Sequence, residues 1–141
     1  MVSLAGLEKG QVVAERTVHL TRDALVRYAG ASGDFNPIHY RDDVATRVGL
    51  PGVLAHGMLT MGIGSSVVGE WIGDTARIAS YVVRFTKPVL VDADAGADVS
   101  VTATVGLVKD DGSVRIDLTV THGDEKVLGK AQAVVLPEPT A

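Results

Sequence analysis

The sequence predicts an α+β fold in which one long buried helix lies against a run of antiparallel strands. Three observations carry that expectation. The stretch from Gly52 to Trp71 is apolar on nearly every side, which suits a helix buried all round. The segments after Arg77 are rich in Val, Thr and Ile and are separated by turn-forming clusters, the signature of hairpins. The 141 residues, 46% of them apolar, are one domain's length with material for a real core, so residues 1–141 are read as a single domain. A sheet that curls around the helix buries it on most sides.

The elements follow in chain order. "QVVAERTVHL", ending at Leu20, reads as a strand or extended entry segment. "TRDALVRYAG" reads as a helix that Thr21 caps and Gly30 closes. Leu25, Tyr28 and Ala29 share one of its faces at i, i+3, i+4 spacing. "RDDVATRVG" reads as a short second helix ending near Gly49. The run from Gly52 to Trp71 would make a helix roughly 30 Å long, which is membrane length. His56 and Glu70 lie within it and no basic flank anchors it, so it is read as buried in protein, with no membrane span. Its glycines at 57, 62, 64 and 69 lower helix propensity; close approach of a sheet to the helix backbone is the simplest compensation. "IASYVVRFTKPVLV", "ADVSVTATVGLVKD", "GSVRIDLTVTH" and "EKVLGKAQAVVLP" read as strands, joined in part by the turns "KDDGS" and "HGDE". The Pro-rich tail "LPEPTA" is expected to fray.

Composition and missing motifs narrow the chemistry. The chain has no cysteine, which removes disulfides and thiolate zinc sites and fits a reducing cytosol. A net charge of −4 argues against a general nucleic-acid binder. "MVSLAGLEKG" lacks the basic start and apolar core of a signal peptide, so a cytoplasmic location is expected. The histidines are scattered at 19, 39, 56 and 122, with no H-E-x-x-H. "GIGSSVVG" is not G-x-G-x-x-G, "GASGD" is not G-x-S-x-G, and no P-loop is present.

What remains is "SGDFNPIHY", from Ser32 to Tyr40. Pro37 disfavours the helical region for Asn36, so the segment is expected to be a loop. A carboxylate and an imidazole aimed at one water make an acid–base pair, and an imidazole titrates near neutral pH. Asp34 and His39 are the candidates, with Asn36 orienting a partner. The bland alternative stays open: Asp34 and Asn36 make a turn and His39 caps the next helix. "AHGML" then opens the buried helix. The first turn of a helix has unpaired N–H groups and partial positive charge. Gly57 has no side chain to keep a ligand from its N–H, which makes a natural oxyanion site. His56 alone is expected to be a structural histidine satisfied by a backbone carbonyl.

"SGDFNPIH" followed by "LAHGMLTMGIG" resembles the MaoC-like (R)-specific hydratase/dehydratase family, and within it the β subunits of the actinobacterial (3R)-hydroxyacyl-ACP dehydratases. The likeness runs from about Val12 to Leu136 and includes "YVVRFTKPV". The resemblance implies a hot-dog fold, a long central helix wrapped by a curved antiparallel sheet. It implies acyl thioesters of coenzyme A or acyl carrier protein as substrates, and reversible syn addition of water to a trans-2-enoyl thioester. No cofactor and no metal are implied. Asp34 and His39 match the family's catalytic pair, Asn36 its supporting amide, and Gly57 the N–H donor to the thioester carbonyl. Ser65 falls where some single-chain hydratases carry a serine near the thioester. Such domains usually pair, so a homodimer is expected, with a heterodimer as the alternative. Met58, Met61, Val67 and Val68 are possible acyl-tunnel walls; Arg77, Arg84, Lys87 and Lys130 are possible partners for pantetheine phosphates or an acidic carrier protein. A hot-dog thioesterase and a non-catalytic acyl-binding subunit are the other readings; the intact D-x-N-P-x-H loop disfavours both.

Overall fold

The structure is a computed structural model and describes residues 2–139. The chain runs β1 (Val12–Leu20), α1 (Arg22–Ser32), a 3-10 turn (Pro37–His39), α2 (Asp42–Arg47), α3 (Gly57–Ile72), a second 3-10 turn (Thr75–Arg77), then β2 (Ile78–Phe85), β3 (Ala97–Val108), β4 (Val114–His122) and β5 (Glu125–Val135). The five strands form one antiparallel sheet in the order β1-β3-β4-β5-β2. Alternation sets its inner face. Val99, Val101, Ala103 and Val105 of β3 and Val114, Ile116, Leu118 and Val120 of β4 are buried, as a half-buried strand of period two requires. The sheet bends at β5. There Leu118 and Val120 of β4 pair with Ala131 and Leu128, so three steps on β5 match two on its neighbour. Lys130 sits at this bulge with φ 46°, the one non-glycine residue with positive φ among the described residues, and a bulge of this kind increases local twist.

The bent sheet wraps α3. Ile63, Val67, Val68 and Ile72 of α3 are buried in the same cluster as the inner faces of β3, β4 and β5. Each such side chain contributes about 1.5–3 kcal/mol on burial, which exceeds the propensity lost at the helix glycines, about 1 kcal/mol each. The sheet does come close to the helix backbone, at particular glycines. A Cβ on Gly64 would collide with the Tyr81 hydroxyl and lie 3.5 Å from Leu118, and one on Gly57 would lie 3.1 Å from the Phe85 ring. Gly69 is approached instead by Thr75 of the second turn, and Gly62 has nothing within 4 Å, so close packing does not account for Gly62.

Three boundaries differ from the sequence expectation. Helix α1 passes Gly30 and closes at Gly33, which adopts φ 76° and donates its N–H to Ala29 O. Helix α3 begins at Gly57 rather than near Gly52. The backbone of residues 53–55 is engaged elsewhere: Val91 N–H donates to Val53 O at 3.0 Å, Ala55 N–H to Val89 O at 2.8 Å and Leu54 N–H to Ile38 O at 3.2 Å. These bonds also take "KPVLV" out of the long strand, so β2 stops at Phe85. The start of the tail is tied down rather than frayed. Buried Arg77 donates from Nε to Leu136 O at 2.9 Å and from Nη1 to Val2 O at 3.0 Å, and Leu136 N–H returns to Arg77 O at 2.8 Å. Residues 140 and 141 of that tail lie outside the described residues. Arg77 therefore joins the two chain ends and is not available as a surface cation. At 16 residues α3 is about 24 Å long, and among the described residues no helix is long and apolar enough to cross a membrane.

Candidate active site

The segment between α1 and α2 is built from short-range side-chain bonds. Ser32 Oγ accepts from Asp34 N–H at 3.1 Å, Asp34 Oδ1 from Asn36 N–H at 3.1 Å, and Asn36 Oδ1 from Ile38 N–H at 3.2 Å. Each is a bond from a side chain to the backbone two residues on, the way Ser, Asp and Asn make turns. Pro37 then opens the 3-10 turn, where its missing N–H costs nothing. Asp34 and Asn36 thus make turns, as the simpler sequence reading has it, but His39 does not cap the next helix: its ring bonds to Leu54 O, and α2 has no side-chain cap. Asp34 uses one oxygen for the turn and keeps the other for His39. Asn36 caps the turn that carries His39, so its Oδ1 acts on the backbone.

His39 is buried to 8% exposure. Its Nδ1 lies 2.7 Å from Leu54 O; a carbonyl only accepts, so Nδ1 carries the proton and Nε2 of the neutral ring presents a lone pair. That Nε2 faces Asp34 Oδ2 at 3.8 Å, too far for a direct hydrogen bond and suited to a group held between them. Arg22 fixes the frame around this loop. It donates to Val91 O at 2.6 Å and makes a bidentate pair with Asp42 at 2.8 and 3.0 Å, which joins the first residue of α1 to the first of α2. The Arg22 bonds hold the Asp42 carboxyl below its ordinary range.

His56, the residue before α3, is 1% exposed. Its Nε2 donates to Asp34 O at 3.1 Å, as expected of a histidine satisfied by a carbonyl. Its ring stacks on His39 with centroids 3.8 Å apart and planes at 22°, and Tyr28 meets it edge-on at 4.8 Å. Burial pushes the His56 pKa below the ordinary 6.5 against the opposing Asp34 carbonyl bond, and the neighbouring His39 lowers it further.

Gly57 begins α3, which has no side-chain cap and no acidic residue in its first turn. Only Leu59 and Thr60 N–H fold back onto His56 O. A cleft of about 310 Å³ opens beside this helix start, lined by His39, Gly57, Thr60, Phe85, Lys87 and Leu128 among others. His39 and Gly57 thus share the cleft; Asp34 does not line it and is linked to it through His39, 3.8 Å from its Oδ2, while Asn36 caps the turn that carries His39. Ser65 is elsewhere: it does not line the cleft, and its hydroxyl donates to Gly62 O at 3.0 Å. Of the suggested tunnel residues, Val67 and Val68 are core and Met58 is exposed. Lys87 alone of the four suggested cations lines the cleft; it pairs with Glu125 at 3.5 Å. Sequence reasoning missed Phe85 and Thr60. Phe85 was visible in "YVVRFTKPV" as the same-face neighbour of Tyr81 and Val83 along β2.

Asp34, His39 and His56 present donor atoms within 4.8 Å of one another, the one such group among the described residues. His39 Nδ1 and His56 Nε2 are already spent on carbonyls and His56 Nδ1 is buried. That leaves His39 Nε2 and Asp34 as ligands, fewer than the three or four a protein zinc site uses.

A bent five-stranded sheet around one helix, with a carboxylate–imidazole pair at the helix start, defines a hot-dog domain of the hydratase kind. The family description "MaoC like domain" matches residues 5–124, and the chain belongs to that family. It is 40% identical over 79 residues to the 3-hydroxyacyl-thioester dehydratase X of Mycobacterium tuberculosis, a match covering 56% of this chain and 27% of that protein. It is 32% identical over 119 residues to the (R)-specific enoyl-CoA hydratase of Rhodospirillum rubrum, covering 84% of this chain and 81% of that one. A solved MaoC-like dehydratase superposes with a TM-score of 0.92 at 34% identity, over 96% of this chain and 42% of its own. The chain thus spans under half the length of the first and third of these relatives.

Proposed function

We propose that this hot-dog chain, acting as one domain, catalyses reversible hydration of trans-2-enoyl thioesters, and the dehydration of (3R)-hydroxyacyl thioesters, carried on coenzyme A or acyl carrier protein. The observation that supports this best is the 3.8 Å approach of Asp34 Oδ2 and His39 Nε2 next to an uncapped helix start. In the hydration direction a water held between the two loses a proton to one of them. The oxygen bonds to C3, and the electron pair of the double bond shifts through C2 onto the thioester oxygen. The Gly57 N–H and the positive end of α3 meet that charge. Protonation at C2 completes the step, and dehydration retraces it. Only protons and water are exchanged, so the balance calls for no redox cofactor. The cleft wall of Phe85, Val127 and Leu128 suits an acyl chain.

The test is steady-state hydration of crotonyl-CoA and longer enoyl-CoA thioesters. Asp34→Asn and His39→Ala are each expected to lower kcat by about 10²-fold or more with folding intact. The double variant is expected to be little worse than the poorer single one. Near-normal turnover in either single variant, with circular dichroism unchanged, would discard the assignment.

Assembly belongs to the same proposal. Strand β2 pairs only with β5, so its outer edge is open, and Val82 and Phe85 on it are more than half exposed. An open apolar edge favours association. A homodimer is proposed, with a related hot-dog subunit as the alternative partner; a solution mass of 14.7 kDa, the single-chain value, would exclude both for the isolated protein.

A further inference from the structure

We propose that His56 is a positioning residue that holds the proposed Asp34–His39 pair in register, through its Nε2–H on the Asp34 carbonyl and its ring face under His39. This rests on the acid–base reading of those two residues. Asp34 and His39 lie in a loop, and each has one freedom left. Asp34 Oδ1 is fixed by Asn36 N–H, but the peptide that carries Asp34 would swing were its carbonyl not held by His56 at 3.1 Å. His39 is fixed at Nδ1 by Leu54 O, which still permits the ring to tilt about that bond. The His56 ring 3.8 Å away at 22° closes off tilt on one face.

His56 is itself immobile. It is 1% exposed, Tyr28 of α1 packs edge-on against it, and its carbonyl receives the N–H groups of Leu59 and Thr60. Its contacts thus connect the loop pair to the residue immediately before Gly57. A buried histidine that merely needed satisfying would require one carbonyl, and any carbonyl would serve. Here the carbonyl and the stacked ring belong to the two proposed acid–base groups.

The arrangement works with a neutral ring. The groups facing His56 are Tyr28 from α1, Asp34 from the loop and His39 from the 3-10 turn. Its Nδ1 has no hydrogen-bond partner among the described residues, so a proton there would be a buried charge with no acceptor, 3.8 Å ring to ring from His39, and the favourable pull of the Asp34 carboxylate is outweighed by burial. Desolvation accordingly favours the neutral ring. A neutral plate under His39 leaves that ring able to accept a proton, which a cationic plate would oppose.

Two substitutions separate the two contacts. His56→Phe keeps an aromatic plate and loses the Nε2–H; His56→Gln keeps an N–H at similar reach and loses the plate. Both are expected to lower kcat for crotonyl-CoA by about tenfold or more, as misplacement of reacting groups does, with KM changed far less because the cleft is untouched. Rates are taken on protein shown folded by circular dichroism, well below its unfolding temperature. A merely structural histidine would lower the unfolding temperature and leave kcat of the folded protein alone, and that outcome overturns the proposal. Nitrogen-15 NMR of the unmodified protein is an independent check if the variants fold poorly. His56 is expected as the Nε2–H tautomer, less than half protonated at pH 6.5, the ordinary histidine value; a ring that is half-protonated or more there overturns the neutral plate. Should Asp34→Asn and His39→Ala retain activity, the functional reading falls and this inference with it. Should those two fail while both His56 variants turn over normally, this inference alone falls.

Discussion

Helices α1 and α3 begin in opposite ways. At the start of α1 the Thr21 hydroxyl accepts from Ala24 N–H at 3.3 Å, and Asp23 stands in the first turn. Both devices satisfy the orphan N–H groups and the positive end of the helix from within the chain. At the start of α3 neither is present: His56 offers no side-chain cap, and the first turn, Gly57 to Thr60, has no acid. Helix α2 also lacks a side-chain cap but carries Asp42 and Asp43 in its first turn, so of the three α-helices among the described residues α3, which opens onto the cleft, is the one with neither device. The difference teaches that an unsatisfied helix start can be read as a site when a cavity and a pair of titratable side chains meet it. Without those it would be only a less stable end.

The sharpest way to break the contrast is to fill the open start. Gly57→Val sets a branched side chain where the proposed mechanism brings the thioester carbonyl. Hydration of crotonyl-CoA is expected to fall by more than about 10²-fold, the scale of losing an oxyanion donor. The clash is with the Phe85 ring, which is 53% exposed and free to swing outward, so the unfolding temperature is expected to move little. A fully active Gly57→Val protein would mean that the helix start does no chemistry. The reciprocal change is Thr21→Ala, which strips the closed start. It is expected to cost about 1 kcal/mol of stability, read from the denaturant midpoint, with kcat and KM unaltered. Equal effects of both substitutions on activity would erase the distinction between the two starts.

The smallest expected effect lies further along α3, where β2 touches the helix a second time. The Tyr81 hydroxyl is buried against Gly64 with no partner among the described residues. Tyr81→Phe removes a polar atom that gains nothing from being there, so stability is expected to stay level or rise slightly. Burial pushes the Tyr81 pKa from 10.0 up to about 12. The folded protein then keeps its phenol proton when the unfolded chain has begun to lose it. Below pH 10 the group has no pH-dependent effect; from pH 10 to about 12 the unfolded chain ionises and the folded one does not, so stability falls across that interval. Midpoints measured across that interval are expected to fall less in Tyr81→Phe than in the unmodified protein.

Much of this was legible in sequence, for a physical reason. Ser32, Asp34 and Asn36 act on neighbours two residues away and Pro37 opens the turn that follows, so this part of the loop is encoded where it is written, whereas His39 is fixed by Leu54, fifteen residues on. The strands of β3 and β4 were legible through alternation. What misled was of two kinds. "GASG" holds two glycines three apart; either could have ended α1, and nothing local says that Gly33 takes the left-handed conformation. Residues 52–56 are as apolar as the helix that follows, and their extended form depends on bonds to Ile38, Val89 and Val91, the last two more than thirty positions away. Ser65 was placed by resemblance. Eight residues on from Gly57, at 3.6 residues per turn, it stands about 80° round the helix and two turns further down, and its hydroxyl turns back to Gly62 O.

Arg77 has a consequence of a different sort. One guanidinium grips a carbonyl from each extremity, Val2 at 3.0 Å and Leu136 at 2.9 Å, so the fold is nearly a closed loop of chain. A short linker from the last strand back to Val2 would complete the ring without stretching it. The break could then be moved to the exposed turn at Asp111–Gly112, since adjacent ends and surface turns are what circular permutation needs. In such a permuted chain the order of elements would begin at β4, yet α1, the loop and α3 would still follow one another unbroken. The stretch from Ser32 to Gly57 travels through that rearrangement as an intact cassette.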